Sequence, residues 1–306
     1  MTTSPTPPPG RPHRMPGDGW VECGCGSRHW GLNGAAGLLA WRLDAAGDVE
    51  IALQHRAEWS HHGGTWGLPG GAIADGETPI EGGLREAAEE AGISPNSLEL
   101  SATRVLQHPD WSYTTIVARA DPEAEVRATD AESLEVRWAS LREITGDDGL
   151  PLLPAFGAAR PELRQMLGRV VLVVDSANVV GSVPDGWWRD RAGATERLRD
   201  HLRTVRTEGL AGDVVGLAGS RWFPEIHLVT EGDARGVPSA GGVRVHEAGG
   251  SGDDAIVDVA AELAVGPTVP DAGFTRVIVA TADRGLAERC RQIGAGVIGP
   301  RAVRGR

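Results

Sequence analysis

Three glutamates, Glu86, Glu89 and Glu90, have a spacing that would place their carboxylates together on one exposed helix face. Clustered carboxylates repel one another, and an oxygen-preferring divalent cation relieves that repulsion. Mg²⁺ in particular favours carboxylate ligands combined with substrate phosphates. The spacing therefore predicts a metal site suited to phosphate chemistry, although an isolated Glu-x-x-Glu-Glu is more often a solvated helix surface.

The glutamates must be carried by a helix, and the sequence predicts one over Pro79–Ala91. Thr78 and Glu81 have the spacing of a capping box, and Pro79 suits the first helical position. Gly92 is a suitable residue to end the helix. These local signals delimit the helix at both ends.

The loop before this helix contains further groups that could serve the same site. Arg85 lies one position away from the glutamate face and is expected to pair with a loop carboxylate such as Glu77. The glycines of the loop would let the backbone carbonyl of Gly71 approach the cation.

The segment from Gly71 to Ile93 resembles the Nudix box at each specified position, namely Gly71, Glu77, Arg85, Glu86, Glu89, Glu90 and Gly92. The preceding Trp66–Gly70 is also similar to the family's approach to the box. The resemblance covers about residues 17–168 and implies an α/β/α sandwich with a mixed sheet. It further implies hydrolysis of a nucleoside-diphosphate-type small molecule, assisted by Mg²⁺ or Mn²⁺.

The resemblance also assigns roles by position. The metal ligands it implies are the carbonyl of Gly71 and the carboxylates of Glu86, Glu89 and Glu90. Glu86 is alternatively the base that activates water, and Arg85, oriented by Glu77, completes the catalytic set.

The substrate is less readable than the reaction. Pro109 lies where a proline is associated with ADP-ribose hydrolysis in this family, but a loop proline is more often only a turn residue. Oxidised nucleotides remain the alternative substrate class. Trp111 and Tyr113 could stack on a base, although strand aromatics more often belong to a core.

A short cysteine motif precedes the first long strand. Cys23, Cys25 and His29 could contribute to a zinc site. Only three ligands are local and the usual Cys-x-x-Cys spacing is absent, so a plain N-terminal ribbon is favoured and zinc binding stays open.

Beyond residue 168 the pattern changes to alternating strands and helices, which favours a mostly parallel, Rossmann-like sheet over residues 169–306. The predicted strands are Val170–Val174, Val214–Leu217, Ile226–Val229 and Val277–Ala280. The predicted helices are Ala194–Thr207, Asp254–Ala264 and Gly285–Ile293.

Acidic residues follow these strands, where ligands bind in open α/β sheets. The pattern Asp175-x-x-Asn178, Asp253-Asp254 and Thr-Ala-Asp283-Arg resembles PIN-like nucleases of the NYN branch. The resemblance implies metal-dependent cleavage of single-stranded RNA. It places the metal at Asp175, Asp254 and Asp283. Asn178 would assist this site, and Asp253 would assist it as a further ligand. Each acid alone is more often a turn residue or helix cap.

The amino-acid composition excludes some classes of catalytic mechanism. The chain of 306 residues has a net charge of −12, and its basic side chains are all arginine, which excludes Schiff-base and P-loop lysine chemistry. Three cysteines are too few for a disulfide framework and favour the cytoplasm. Residues 1–16 are expected to be disordered, and they lack the apolar core of a signal peptide. The longest apolar runs have only the length of a strand, so no membrane partner is predicted.

Three functional hypotheses follow. The first joins a Nudix hydrolase (17–168) to a PIN-like ribonuclease (169–306). The second makes the C-terminal domain a non-catalytic RNA-binding or assembly module. The third makes both domains nucleotide binders without turnover, against which the intact glutamate set argues. Oligomerisation is left open.

Overall fold

The computed structural model describes residues 16–146, 149–184, 186–264 and 273–304. The residues expected to be disordered therefore lie, except for residue 16, outside the described part of the chain. Two compact units divide between Leu167 and Gly168. Among the described residues, no helix combines the length and apolarity needed to cross a membrane.

The first unit contains short terminal strands, a mixed sheet and, among its described residues, three α-helices and a 3-10 helix at Pro95–Ser97. The strands are β1 (Trp20–Glu22), β2 (Arg28–Trp30), β3 (Ala35–Leu43), β4 (Val49–Arg56), β5 (Trp66–Gly67), β6 (Gly70–Ala72), β7 (Leu98–Gln107), β8 (Ser112–Ala120) and β9 (Ser133–Ser140). The helices are α1 (Pro79–Ala91), α2 (Leu141–Thr145) and α3 (Pro154–Arg164).

The sheet of this unit is mixed, as the sequence predicted. Its strands follow the order β7-β8-β3-β4-β5. Strand β3 runs parallel to β8 and antiparallel to β4 and β6, while β4 also pairs with β9 in antiparallel fashion. Because β3 pairs with β6 through Ala35–Gly37 and with β4 through Trp41–Leu43, the first half of β3 lies beside the loop that leads to α1.

Helix α1 packs on this sheet through its small residues. Ala87 and Ala91 are buried against Ala36 of β3 and Ile116 of β8. At Gly83 a Cβ atom would lie 2.3 Å from Ile116 Cδ1, so glycine permits the helix to approach the strands closely. This close packing holds the glutamate helix against the first half of β3.

The second unit is built around parallel strands. Its strands are β10 (Gly168–Asp175), β11 (Leu210–Ala211), β12 (Arg221–Trp222), β13 (Glu225–Thr230), β14 (Val243–Glu247), β15 (Phe274–Ala280) and β16 (Gly296–Ile298). Its helices are α4 (Ser176–Gly181), α5 (Arg191–Glu208), α6 (Gly212–Val215), α7 (Gly252–Ala264), α8 (Arg284–Gln292) and α9 (Arg301–Arg304).

The main sheet of this unit has the order β14-β13-β10-β15-β16, and each pair of neighbours is parallel. The predicted parallel architecture is therefore present. The predicted strand Val214–Leu217 is wrong, because α6 ends there at Val215 and Gly216 terminates it with a φ of 67°. A short apolar run does not by itself separate a strand from a buried helical turn.

Candidate active site

The predicted glutamate helix is present with both of its ends confirmed. The Thr78 side chain accepts a hydrogen bond from the Glu81 amide, and the Glu81 carboxylate accepts one from the Thr78 amide. At the other end Gly92 adopts φ 65° and donates to the carbonyls of Ala87 and Ala88. The capping box and the left-handed glycine thus fix which turn of the chain carries the acidic residues.

The glycine loop brings backbone directly against the helix. Gly71 pairs with Ala36 in the β3–β6 ladder. A Cβ atom on Gly71 would lie 2.6 Å from Glu86 Oε2, so any other residue here would displace the Glu86 carboxylate. The structure therefore brings the Gly71 backbone and the Glu86 carboxylate together.

Arg85 connects the loop to the helix. Its Nε and Nη2 donate to the two Glu77 carboxylate oxygens over 2.7 and 3.0 Å, and Nη2 also donates to the Ala72 carbonyl over 3.0 Å. Its Nη1 donates to Glu86 over 2.8 Å and to Glu89 over 3.1 Å. Hydrogen bonds and charge from Glu77 and Glu86 raise the pKa of Arg85, which remains a cation. One guanidinium therefore orients the carboxylates expected to do the chemistry.

Glu90 departs from the expectation of an exposed helix face, because its side chain is only 7% exposed. Its Oε2 accepts a hydrogen bond from the Gly70 amide over 2.9 Å. Burial, reinforced by the charges of Glu86 and Asp130, raises the pKa of Glu90 to about 8. A carboxylate buried at such an electrostatic cost fits a position where a cation neutralises it.

Glu86 and Glu89 differ from Glu90 in exposure. Burial is the main cause that raises the pKa of Glu86, and the Glu89 charge adds to it, while Arg85 opposes both. The Glu89 side chain is 57% exposed. The helix thus presents one buried, one partly buried and one exposed carboxylate beside the Gly71 backbone.

Two neighbours of this site were not predicted from sequence. Asp130 lies close enough to Glu90 to raise its pKa, and burial raises the pKa of Asp130 itself. Burial raises the pKa of Tyr113 to about 12, with further contributions from Glu90 and Glu86. Tyr113, considered above as a base-stacking residue, is thus a neighbour of the carboxylates, and a Cβ on Gly37 would meet its hydroxyl.

In the second unit, Asp175 ends β10 at the carboxyl edge of the parallel sheet and is buried. Its Oδ1 accepts from the Asn178 amide over 3.0 Å, and its Oδ2 accepts from the Thr281 hydroxyl over 2.9 Å. The Asn178 side chain in turn accepts from the Ala282 amide over 2.8 Å. Asp175 and Asn178 therefore join the ends of β10 and β15.

The other acids of the predicted site, Asp253, Asp254 and Asp283, differ in their surroundings. Burial and the nearby Asp283 and Glu231 charges raise the pKa of Asp253. Burial is also the main cause that raises the pKa of Asp175, and the Asp253 and Glu231 charges add to it. Asp254 instead pairs with Arg289 at 2.7 Å. Asp253 is thus more closely associated with Asp175 than Asp254 is. Glu231, which follows β13, was missed because it belongs to no recognised motif.

Comparison with known proteins shows which proteins the first unit is similar to. A model of the NUDIX domain matches residues 35–166. A nucleoside triphosphate pyrophosphatase/Nudix hydrolase fusion protein of Bifidobacterium longum is 46% identical over 164 residues, which are 51% of this chain and 34% of that protein. The chain therefore spans about a third of that relative's length.

Other relatives are matched over more of their length. A putative 8-oxo-dGTP diphosphatase 3 of Mycobacterium tuberculosis is 45% identical over 157 residues, covering 49% of this chain and 70% of the relative. The crystal structure of a Nudix hydrolase from M. smegmatis, RenU, is 41% identical with a TM-score of 0.44, covering 48% of this chain and 93% of that one. Together, the NUDIX-domain match and the M. tuberculosis relative show that the chain belongs to the Nudix family, and its first unit is a hydrolase of acid-anhydride bonds in phosphorus-containing compounds.

Proposed function

We propose that the first unit cleaves the diphosphate of a nucleotide-type substrate with Mg²⁺ or Mn²⁺ bound by Glu86, Glu89, Glu90 and the Gly71 carbonyl. The observation that carries the proposal is the buried Glu90 carboxylate, whose pKa is raised to about 8 beside the Gly70–Gly71 backbone. An all-oxygen donor set suits these hard cations. When bound, such a cation lowers the pKa of water and neutralises phosphate charge.

The protein's own groups have separable tasks in this proposal. Glu86 is held by Arg85, and its pKa is raised mainly by burial. As the alternative to binding the cation, Glu86 would accept a proton from the attacking water. Arg85 keeps that carboxylate in one orientation and ties it to Glu77 in the loop. Because the Gly71 backbone lies directly beside Glu86, the carbonyl proposed to bind the cation and the Glu86 carboxylate lie at one place.

For the substrate we infer a nucleoside triphosphate of the 8-oxo-dGTP type. The basis is the name of the M. tuberculosis relative, which is 45% identical. ADP-ribose, suggested by Pro109, is the competing substrate, and Pro109 lies in the loop between β7 and β8. Initial rates of the full chain on both compounds, with Mg²⁺ and with Mn²⁺, decide between them by kcat/KM.

The test of the mechanism is a pair of isosteric substitutions. Glu89→Gln and Glu90→Gln should each nearly abolish turnover, since each removes a charged ligand. The exposed Glu99 offers a matched control, and Glu99→Gln should retain the wild-type rate. Wild-type kcat in either Glu89→Gln or Glu90→Gln would rule out the proposed ligand set.

We propose that the second unit is a PIN-like, metal-dependent ribonuclease. Its support is the group of carboxylates at the carboxyl edge of the parallel sheet. The charges of Asp283 and Glu231 contribute to the raised pKa of Asp253, and the charge of Asp253 contributes to the raised pKa of Asp175. Converging acids of this kind suit divalent cations in phosphodiester cleavage. The alternative remains an RNA-binding or assembly module without catalysis.

The two alternatives are separated in the full chain with Glu89→Gln as background. A nuclease cleaves single-stranded RNA when Mg²⁺ or Mn²⁺ is added, and Asp175→Asn abolishes the cleavage. Asp213→Asn, at an exposed acid of α6, should leave it unchanged. RNA binding that weakens with salt but never leads to cleavage would identify the binding module.

A further inference from the structure

Four metal-binding side chains come together in the first unit. They are Cys23, Cys25, His29 and His108, and their ligand atoms all lie within 4.8 Å of one another. Cys23 and Cys25 lie in the turn between β1 and β2, His29 belongs to β2, and His108 follows β7. The cluster therefore joins two separate hairpin loops.

Backbone hydrogen bonds shape the turn that carries the cysteines. The Cys23 amide donates to the Ser27 carbonyl over 3.1 Å, and the Gly26 amide donates to the Cys23 carbonyl over 2.9 Å. The Gly24 amide donates across to Asp110 Oδ2 over 2.7 Å. The Gly24–Asp110 hydrogen bond thus holds the turn against the β7–β8 loop without involving the four ligand side chains.

The ligand side chains already approach the geometry of a tetrahedral site. Cys25 Sγ and His29 Nε2 are 3.2 Å apart. Bonds of about 2.3 Å from zinc to sulfur and 2.0–2.1 Å to nitrogen put the ligands of a tetrahedron roughly 3.3–3.8 Å apart. Since the widest separation in the cluster is within 4.8 Å, small side-chain rotations would complete the site.

The surroundings hold one imidazole in place. The His29 ring stacks on Trp111 at 4.4 Å with an interplanar angle of 11°, and its centroid lies 4.4 Å from that of His108. Rings oriented before binding lower the cost of closing a metal site.

We propose that Cys23, Cys25, His29 and His108 bind one structural zinc ion. Two thiolates and two imidazoles are the soft donor set that selects Zn²⁺ over Mg²⁺, and four protein ligands leave no open position for catalysis. The site is chemically distinct from the all-oxygen glutamate site. Its role is to fix the β1–β2 ribbon to the β7–β8 loop.

The ribbon in turn borders the loop that precedes the glutamate helix. The Leu32 amide donates to the Gly17 carbonyl over 2.8 Å. A Cβ atom on Gly17 would lie 2.3 Å from the Ile73 carbonyl oxygen, two residues after Gly71. Zinc at the far end of the ribbon therefore stabilises the chain packed against the catalytic loop.

The experiment measures zinc in the full-length protein, purified without chelator and dialysed, by elemental analysis. The wild type should hold about one zinc per chain, as expected for a closed four-ligand site. Cys25→Ser and His108→Gln should lose it. The controls Cys290→Ala and His61→Gln should keep it, and so should Glu89→Gln, which separates this site from the glutamate site.

Cobalt provides a readout on the unmodified protein, so the test does not depend on variants that fold. Co²⁺ should give thiolate charge-transfer absorption and tetrahedral d–d bands, and zinc should displace it. Chelation should speed hydrogen exchange in peptides covering β1, β2 and the β7–β8 loop, and added zinc should reverse this. A wild type that takes up no zinc, or zinc retained by both ligand variants, would overturn the proposal.

Discussion

The Arg85–Glu77 pair offers a quantitative test of how the loop is held to the helix. Both side chains are about one-fifth exposed, and two hydrogen bonds of 2.7 and 3.0 Å join them. A hydrogen bond to a charged group contributes about 1.5–3 kcal/mol, whereas an exposed ion pair contributes under about 1 kcal/mol. A double-mutant cycle of Arg85→Met with Glu77→Gln should therefore give a coupling free energy of about 2 kcal/mol.

Arg28 and Glu22 supply the matched control cycle. Their ion pair has a similar distance of 2.8 Å, but the side chains are 58% and 78% exposed. Arg28→Met with Glu22→Gln should give a coupling of roughly 0.5 kcal/mol or less, because solvent screens the charges. The comparison thus varies burial while the type of pair stays constant.

Native-state hydrogen exchange is the suitable assay, because two units need not unfold together. In peptides covering α1, a coupling of about 2 kcal/mol appears as about a 30-fold effect on exchange rate. Arg85→Met alone should also reduce kcat, since Glu86 loses the group that orients it. A coupling for Arg85 and Glu77 no larger than that of the exposed pair would refute the claim that burial strengthens this connection.

Three further substitutions test single contacts. Gly71→Ala should lower kcat by at least about tenfold in steady-state assays, because its Cβ would displace the Glu86 carboxylate, and an unchanged rate would contradict the close approach. Thr78→Ala should destabilise α1 by about 1 kcal/mol in exchange experiments through loss of the capping box. Thr281→Val should destabilise the second unit by about 1–3 kcal/mol in denaturant unfolding, because the buried Asp175 carboxylate loses a donor.

The glutamate helix shows what local sequence is able to predict. Its bounds, Pro79–Ala91, match the prediction because Thr78, Glu81 and Gly92 act within one turn of the helix ends. The same reasoning failed for Val214–Leu217, a short apolar run with no capping signal that excluded either a strand or a helical turn.

The degree to which each glutamate of the site is buried was decided by tertiary packing. The spacing of Glu86, Glu89 and Glu90 placed them on neighbouring positions of one helix, but it did not distinguish the buried Glu90 from the exposed Glu89. Glu90 is enclosed by residues from other elements, and among them Gly70 donates its amide hydrogen to the Glu90 carboxylate. The pKa of Glu90 is raised mainly by this burial, with smaller contributions from the Glu86 and Asp130 charges, whereas the hydrogen bond from the Gly70 amide lowers it.

The sequence by itself determined the residue types of the box, the capped helix that carries them and the alternation that gives the second unit its parallel sheet. Only the tertiary structure placed His108 beside Cys23, and Glu231 near Asp253. The physical reason is range. Caps and helix faces form between residues a few positions apart, whereas these clusters form where distant loops are brought together by strand pairing and by burial of the core.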